Sequence, residues 1–195
     1  MKTILFLAAI VLNSMFSSRQ GEQRTALLLI DIQNFYFPDG KMELVDPAKA
    51  AQNAARLLEE FRKSGNLIVH IRHNSEPGGE INKIVKPLPE EKIISKNEVN
   101  SFLGTGLLEY LRSKNIDTLV VCGMQTHMCV EAAVRAGSDL GFKCILIHDA
   151  CATRDLQFGD KKIKAEDVHY STLSTLKSYA TVLSTDEFLE QLTGH

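Results

Sequence analysis

From residue 25 onward, short apolar runs alternate with stretches whose apolar residues recur at helical spacing, and few folds accept that alternation. Residues 26–31 read Ala-Leu-Leu-Leu-Ile-Asp, an unbroken run expected of a strand buried on both faces. Asp46 and Pro47 then open a helix as N-cap and first helical residue. Ala50, Ala54, Leu57, Leu58 and Phe61 recur along one side of it, and Gly65 closes it. The same reading predicts strands over 67–71, 92–95, 118–122, 143–147 and 180–184, and helices over 107–115, 129–140 and 165–178. A loop over 73–91, with Pro77, Gly78, Gly79, Pro87 and Pro89, joins the second strand to the third. Strands separated by helices form parallel βαβ units with right-handed crossovers, so the expected fold is a three-layer α/β/α sandwich.

Composition narrows the function. The chain has 195 residues, room for one domain or a domain with a tail. Its 22 Lys and Arg stand against 24 Asp and Glu, so no basic face is available for nucleic acid. Four Cys are too few for a disulfide scaffold in a chain long enough to bury its own core. No 20–50-residue repeat and no low-complexity tract occurs.

The N-terminus is set apart. Met1 and Lys2 precede an apolar run over 4–12, and Ser-rich sequence follows to Ser18. This has the shape of a secretory signal over 1–18. It is shorter than the roughly 20 apolar residues that span a bilayer. Bulky Met15 and Phe16 weaken the cleavage signal, and a frayed helix or misplaced start is the alternative. Residues 19–24 read as a linker, and a single domain is expected over 25–195. The expected location is secreted or periplasmic, with cytoplasmic as the alternative and no membrane contact for the mature chain.

In open α/β sheets ligands bind beyond the carboxyl ends of the strands. The first predicted strand ends in Asp31-Ile-Gln-Asn-Phe-Tyr, the second in His70-Ile-Arg-His73, and the third in Ser95-Lys96. The fourth leads to Gly123-Met-Gln-Thr-His-Met-Cys129, and the fifth to His148-Asp149-Ala150-Cys151. The turn after the first strand has no G-x-G-x-x-G and no P-loop, which argues against a nucleotide-binding module. Cys129 has the strongest physical case, because a thiol at the head of a helix is favoured as thiolate by free N–H groups and the macrodipole. Cys122 and Cys144 lie in strands and read as small buried hydrophobes, while Cys151 is open to either reading. A carboxylate at the end of an apolar strand is costly to bury without a task or partner. Asp31 therefore suits the role of base, or else of a cap or salt bridge. Lys96 can supply its cationic partner, against the usual fate of a lysine on the surface.

Three strand-end motifs in order resemble those of the isochorismatase-like cysteine hydrolases. They are Asp31-Ile-Gln33; Lys96 followed by Phe102 and Thr105; and Gly123-x-x-Thr126-x-x-Cys129-Val130. Arg135 to Cys144 and Asp149-Ala150-Cys-Ala-Thr153 extend the resemblance to residues 26–184. It implies a Rossmann-like sheet of six parallel strands and a triad of Asp31 as general base, Lys96 as cation and Cys129 as nucleophile. It also implies a cis peptide between Met124 and Gln125, with the N–H groups of Gln125 and Cys129 as an oxyanion hole. The pocket is expected to draw on Gln33, Phe35, His73, Phe102 and Thr126. Metal-binding relatives, the nicotinamidases, carry histidines on an insertion after the first strand. Residues 39–65 contain no His, so neither a metal nor another cofactor is expected. Relatives imply a homo-oligomer, dimer or tetramer, and a small-molecule substrate.

The expected chemistry is hydrolysis of the C–N bond of a small amide through a thioester acyl-enzyme. The alternatives are isochorismatase-type vinyl-ether hydrolysis, which does not need the cysteine, and a catalytically silent binding domain. A disulfide oxidoreductase is disfavoured because no Cys-x-x-Cys occurs.

Overall fold

A computed structural model describes residues 24–193. The predicted signal segment and most of the linker lie outside the described residues. Strand β1 (Thr25–Ile30) is buried almost throughout and leads, through the predicted site loop, to helix α1 (Pro47–Ser64). There follow β2 (Leu67–His73), β3 (Lys92–Lys96), α2 (Leu107–Ser113) and β4 (Thr118–Met124). After a π-helical turn (Thr126–Val130) come α3 (Glu131–Asp139) and β5 (Lys143–Ala152). A small antiparallel hairpin, β6 (Leu156–Phe158) and β7 (Lys161–Ile163), precedes α4 (Ala165–Leu176), β8 (Ala180–Leu183) and α5 (Thr185–Thr193). Every pairing in the main sheet is parallel, and its six strands lie in the order β3-β2-β1-β4-β5-β8.

That order decides where chemistry can occur. The sheet is entered near its centre by β1, is built outward to β3, then resumes at β4 and is built the other way. Between β1 and β4 the connections diverge and leave a crevice at the carboxyl edge. Gly123 lets β4 reach that edge close against β1: it holds φ +130, and a Cβ there would run into the Ile30 carbonyl oxygen.

The layers follow from periodicity. Helix α1 buries Ala50, Ala51, Ala54, Leu57, Leu58 and Phe61, a stripe at i, i+3 and i+4 spacing. It packs on β5 and beside α5, while α3 packs on β4 and β5 beside α4. Gly65 ends α1 at φ +68, its N–H donating to the Arg62 and Phe61 carbonyls.

Several local expectations need correction. Asp46 precedes α1 but its side chain makes no capping bond. It holds φ +48, whereas a capping residue takes the extended region to aim its oxygen at the first turn. Strand β5 runs to Ala152 rather than 147, because a register shift between Val121 and Gly123 keeps it paired to the end of β4. The hairpin and α5 were not predicted. Asp149, one of the motif residues, anchors α5: its Oδ1 accepts from the Thr185 N–H and hydroxyl, each at 2.8 Å.

Candidate active site

Asp31, His73, Lys96 and Cys129 come from the carboxyl ends of β1, β2, β3 and β4, and the sheet brings them together. Lys96 is the hub. Its Nζ lies 2.8 Å from Asp31 Oδ2 and 3.2 Å from Cys129 Sγ. It also donates to the Glu98 carbonyl at 3.0 Å and meets His73 Nδ1 at 3.3 Å. Asp31 is 0% exposed, Lys96 1% and Cys129 6%, so both charges and the thiol sit out of water.

Asp31 is unusual in two respects. Its backbone holds φ +48, a left-handed conformation that an L-residue keeps only under constraint. Among the described residues its carboxylate meets only two donors, the Lys96 ammonium 2.8 Å from Oδ2 and the Cys129 thiol. Burial lifts its pKa above the ordinary carboxylate range, although the Lys96 ammonium works the other way. The result is a buried carboxyl with an appetite for a proton.

Cys129 differs from its sequence expectation. Helix α3 begins at Glu131, and Cys129 lies inside the π-helical turn, not at the head of the α-helix. Burial and then the neighbouring Asp31 carboxylate push its pKa up to about 12, outweighing Lys96. The resting sulfur is therefore a thiol that needs a base, rather than a ready thiolate. Cys122, Cys144 and Cys151 are buried free thiols, and burial raises each of them too. Cys151 donates to the Ile147 carbonyl and belongs with the structural cysteines.

The Met124–Gln125 peptide is cis, and Gln125 opens the π-helical turn, its carbonyl accepting from Met128 and Val130. The Gln125 side chain fans outward to Tyr36 Oη (3.4 Å), Met42 Sδ (3.1 Å) and Arg154 Nε (3.1 Å). Thr126 is buried and its hydroxyl meets His169 Nδ1 at 2.9 Å.

The remaining expected pocket residues divide. Gln33 is a buried brace: it donates to the His73 and Gly79 carbonyls and accepts from the His73 N–H. It thereby fixes the end of β2 against the 74–80 loop. Phe35 is buried against Tyr36, and Lys41 covers its ring. Phe102 does not join the site. It stacks on Phe142 and reaches Gly137 of α3 near Leu119 at the start of β4, so it packs the layer. His73 is half-buried, and burial followed by the Lys96 charge lowers its pKa, leaving a neutral ring against Lys96 Nζ. Tyr36, Met42, His169 and Arg154 were not foreseen. Arg154 alone carried a signal, standing directly after a strand-end motif.

The ligand atoms of Asp31, His73 and Cys129 lie within 4.8 Å of one another, close enough to share a metal ion. The Lys96 ammonium contacts all three, so a dication would have to displace a buried cation from its counter-ion.

Comparison with known proteins finds relatives of the whole domain. The Isochorismatase domain model matches residues 25–187. An isochorismatase family protein of Bacillus subtilis is 47% identical over 178 residues, covering 85% of this chain and 99% of the relative. A maleamate amidohydrolase of Pseudomonas putida is 26% identical, covering 87% of each. The solved structure of a cysteine hydrolase from Pseudomonas syringae pv. phaseolicola superposes with a TM-score of 0.84 at 25% identity, covering 88% of this chain and 93% of that one.

Proposed function

The chain belongs to the isochorismatase family of hydrolases, and on that premise we propose that it cleaves the C–N bond of a small amide, with Cys129 as nucleophile, Asp31 as base and Lys96 as the cation between them. The observation that carries this reading is the Lys96 ammonium held 2.8 Å from Asp31 and 3.2 Å from Cys129 in a site closed to water. The amidohydrolase among the relatives supports an amide as the bond cleaved.

In this mechanism Asp31 takes the thiol proton as sulfur bonds to the carbonyl carbon. A base lifted above its usual range and an acid held near 12 suit proton transfer in concert with attack, since neither is spent beforehand. Lys96 stabilises the negative charge whichever of the two atoms holds it. The Gln125 and Cys129 N–H groups would receive the tetrahedral oxyanion. Asp31 then returns its proton to the leaving nitrogen as the C–N bond breaks. Water attacks the thioester, Asp31 accepts its proton, and the C–S bond breaks to release the acid and restore the thiol.

The test is a screen of small amides for release of ammonia or amine, with Cys129→Ala as control and mass spectrometry for an acyl group on Cys129. Turnover retained by Cys129→Ala would overturn the nucleophilic mechanism.

A further inference from the structure

Lys96 carries three N–H groups and has four neighbours to share them among. Asp31 Oδ2 at 2.8 Å bears a full charge and the Glu98 carbonyl at 3.0 Å accepts strongly, so two of the three are committed. The third lies between Cys129 Sγ at 3.2 Å and His73 Nδ1 at 3.3 Å and cannot serve both fully. Distance does not decide between them, and chemistry does. A thiol sulfur is a weak acceptor, and this one turns its own S–H toward Asp31, whereas a bare imidazole nitrogen accepts well.

The ring is fit to take that N–H. An ammonium offers no lone pair, so Nδ1 must be bare and the proton of the neutral ring must sit on Nε2. Burial is the main reason the ring stands neutral, and of the charged groups that face it Lys96 and Lys41 add to this against Asp31 and Glu98. The ring is also held in place without help from Lys96. His73 pairs with Lys96 in the register of β2 and β3, which puts both side chains on one face of the sheet. Gln33 grips the His73 backbone at both its N–H, 2.8 Å, and its carbonyl, 2.9 Å.

We propose that His73 is a positioning residue: it holds the third N–H of Lys96 while Cys129 is a thiol, and yields it to the sulfur when the thiol proton passes to Asp31. In that step one S–H bond breaks and one O–H bond forms on Asp31, while the Lys96 hydrogen stays on nitrogen and exchanges one acceptor for another. His73 therefore competes with the thiolate for Lys96 and keeps the sulfur unreactive between turnovers. The proposal rests on Cys129, Asp31 and Lys96 acting as set out above. Its sign is distinctive. Without the ring the third N–H has the sulfur as its remaining neighbour, so the thiolate gains and the cysteine becomes more reactive.

The experiment measures alkylation of Cys129 by iodoacetamide, located by peptide mapping, at about pH 8 in wild type, His73→Leu and His73→Asn, with thermal unfolding as the check on folding. Well below its own titration a thiol reacts in proportion to its thiolate fraction. His73→Leu removes the competing acceptor and should react about tenfold faster than wild type, the size of one hydrogen bond to a charged donor. Asn carries its carbonyl oxygen where Nδ1 stands, so His73→Asn should stay close to wild type. Leu fills more space than Asn, so acceleration in the Leu variant alone cannot come from a wider entrance. Nitrogen-15 NMR of the wild-type ring supplies a readout that needs no variant and should show Nδ1 bare and Nε2 protonated. A rate in His73→Leu at or below wild type, equal acceleration in both variants, or a ring proton on Nδ1 would overturn the proposal. Amide cleavage accompanied by equal alkylation in all three proteins would overturn it and leave the amide reading standing. The expected alkylation pattern in a protein that cleaves no amide would do the reverse.

Discussion

Two buried ionic clusters flank strand β2, and they are assembled from the same kinds of residue to opposite effect. His73 meets Lys96, which pairs with Asp31. Three residues earlier, and so on the other face of the strand, His70 meets Glu91, which pairs with Arg62. Glu91 is saturated: it accepts from Arg62 Nε at 2.6 Å and Nη2 at 2.9 Å, from Leu88 N–H at 2.8 Å, and faces His70 Nε2 at 3.0 Å. Burial opposes its charge, but these donors prevail and hold its pKa down to about 2. Asp31, fully buried, has only the Lys96 ammonium and the Cys129 thiol among the described residues, and burial prevails to raise its pKa. An ion pair alone therefore does not separate a structural carboxylate from a reactive one. The balance of burial against hydrogen bonds does, because burial disfavours the anion while each donor stabilises it and makes it a poorer base.

The sharpest way to break this contrast is to remove the acid that only the site cluster contains. Cys129→Ala should reduce amide hydrolysis by at least about a thousandfold while the fold persists, since covalent catalysis has no substitute here. Steady-state kinetics together with thermal unfolding would check both halves. Loss of folding along with activity would place Cys129 with the structural thiols.

Next in size is the cation. Lys96→Met keeps most of the stem and removes the charge. A loss of at least about a hundredfold in kcat/KM is expected, roughly 2.7 kcal/mol of transition-state stabilisation. Asp31 can take a proton once the ammonium is gone, which moderates the cost of leaving it buried. Alkylation of Cys129 should shift to higher pH, because Lys96 is the group that opposes burial there. Unchanged kinetics and alkylation would make Lys96 the counterpart of Arg62, a brace without chemistry.

The contrast also shows what the sequence could carry. The strand–helix alternation specified the sheet and its parallel connections, since buried apolar runs such as 26–30 admit few other roles. It also put Asp31, Lys96 and Cys129 at strand ends, where the crevice forms. It could not specify the thiol's surroundings. Cys129 reads as a helix start because 129–140 is amphipathic, yet a π-helical turn intervenes, and its extra residue leaves no sequence mark. Phe102 looked like a pocket residue beside Lys96 and turned out to pack on Phe142, a partner forty residues away. The Arg62–Glu91–His70 cluster spans three separate segments, and no local pattern links them. Such contacts belong to the tertiary fold and become visible only when β2 and β3 are paired.

The smallest expected effect sharpens the comparison from the structural side, through pH. Glu91 titrates near 4.5 when unfolded and at about 2 when folded. Between those values the unfolded chain binds more protons than the folded one, so stability rises with pH. The contribution of Glu91 is fully present above about pH 4.5 and is lost as pH falls toward 2. His70 acts in the same direction from a higher starting point, because burial lowers its folded pKa below the ordinary 6.5. Glu91→Gln should cost about 1–3 kcal/mol at neutral pH, the range for a buried partner left without its acceptor. Denaturant unfolding of wild type and variant from pH 7 to pH 2 should show the difference between them shrinking below pH 4.5 and nearly vanishing near pH 2. The remaining decline in the variant near pH 6 belongs to His70. Amide hydrolysis measured at pH 7 on the folded variant should stay close to wild type, since Glu91 makes no contact with Asp31, Lys96 or Cys129. A stability difference constant across the whole range would show that Glu91 is not held as an anion by its donors, and the distinction drawn between the two clusters would fail.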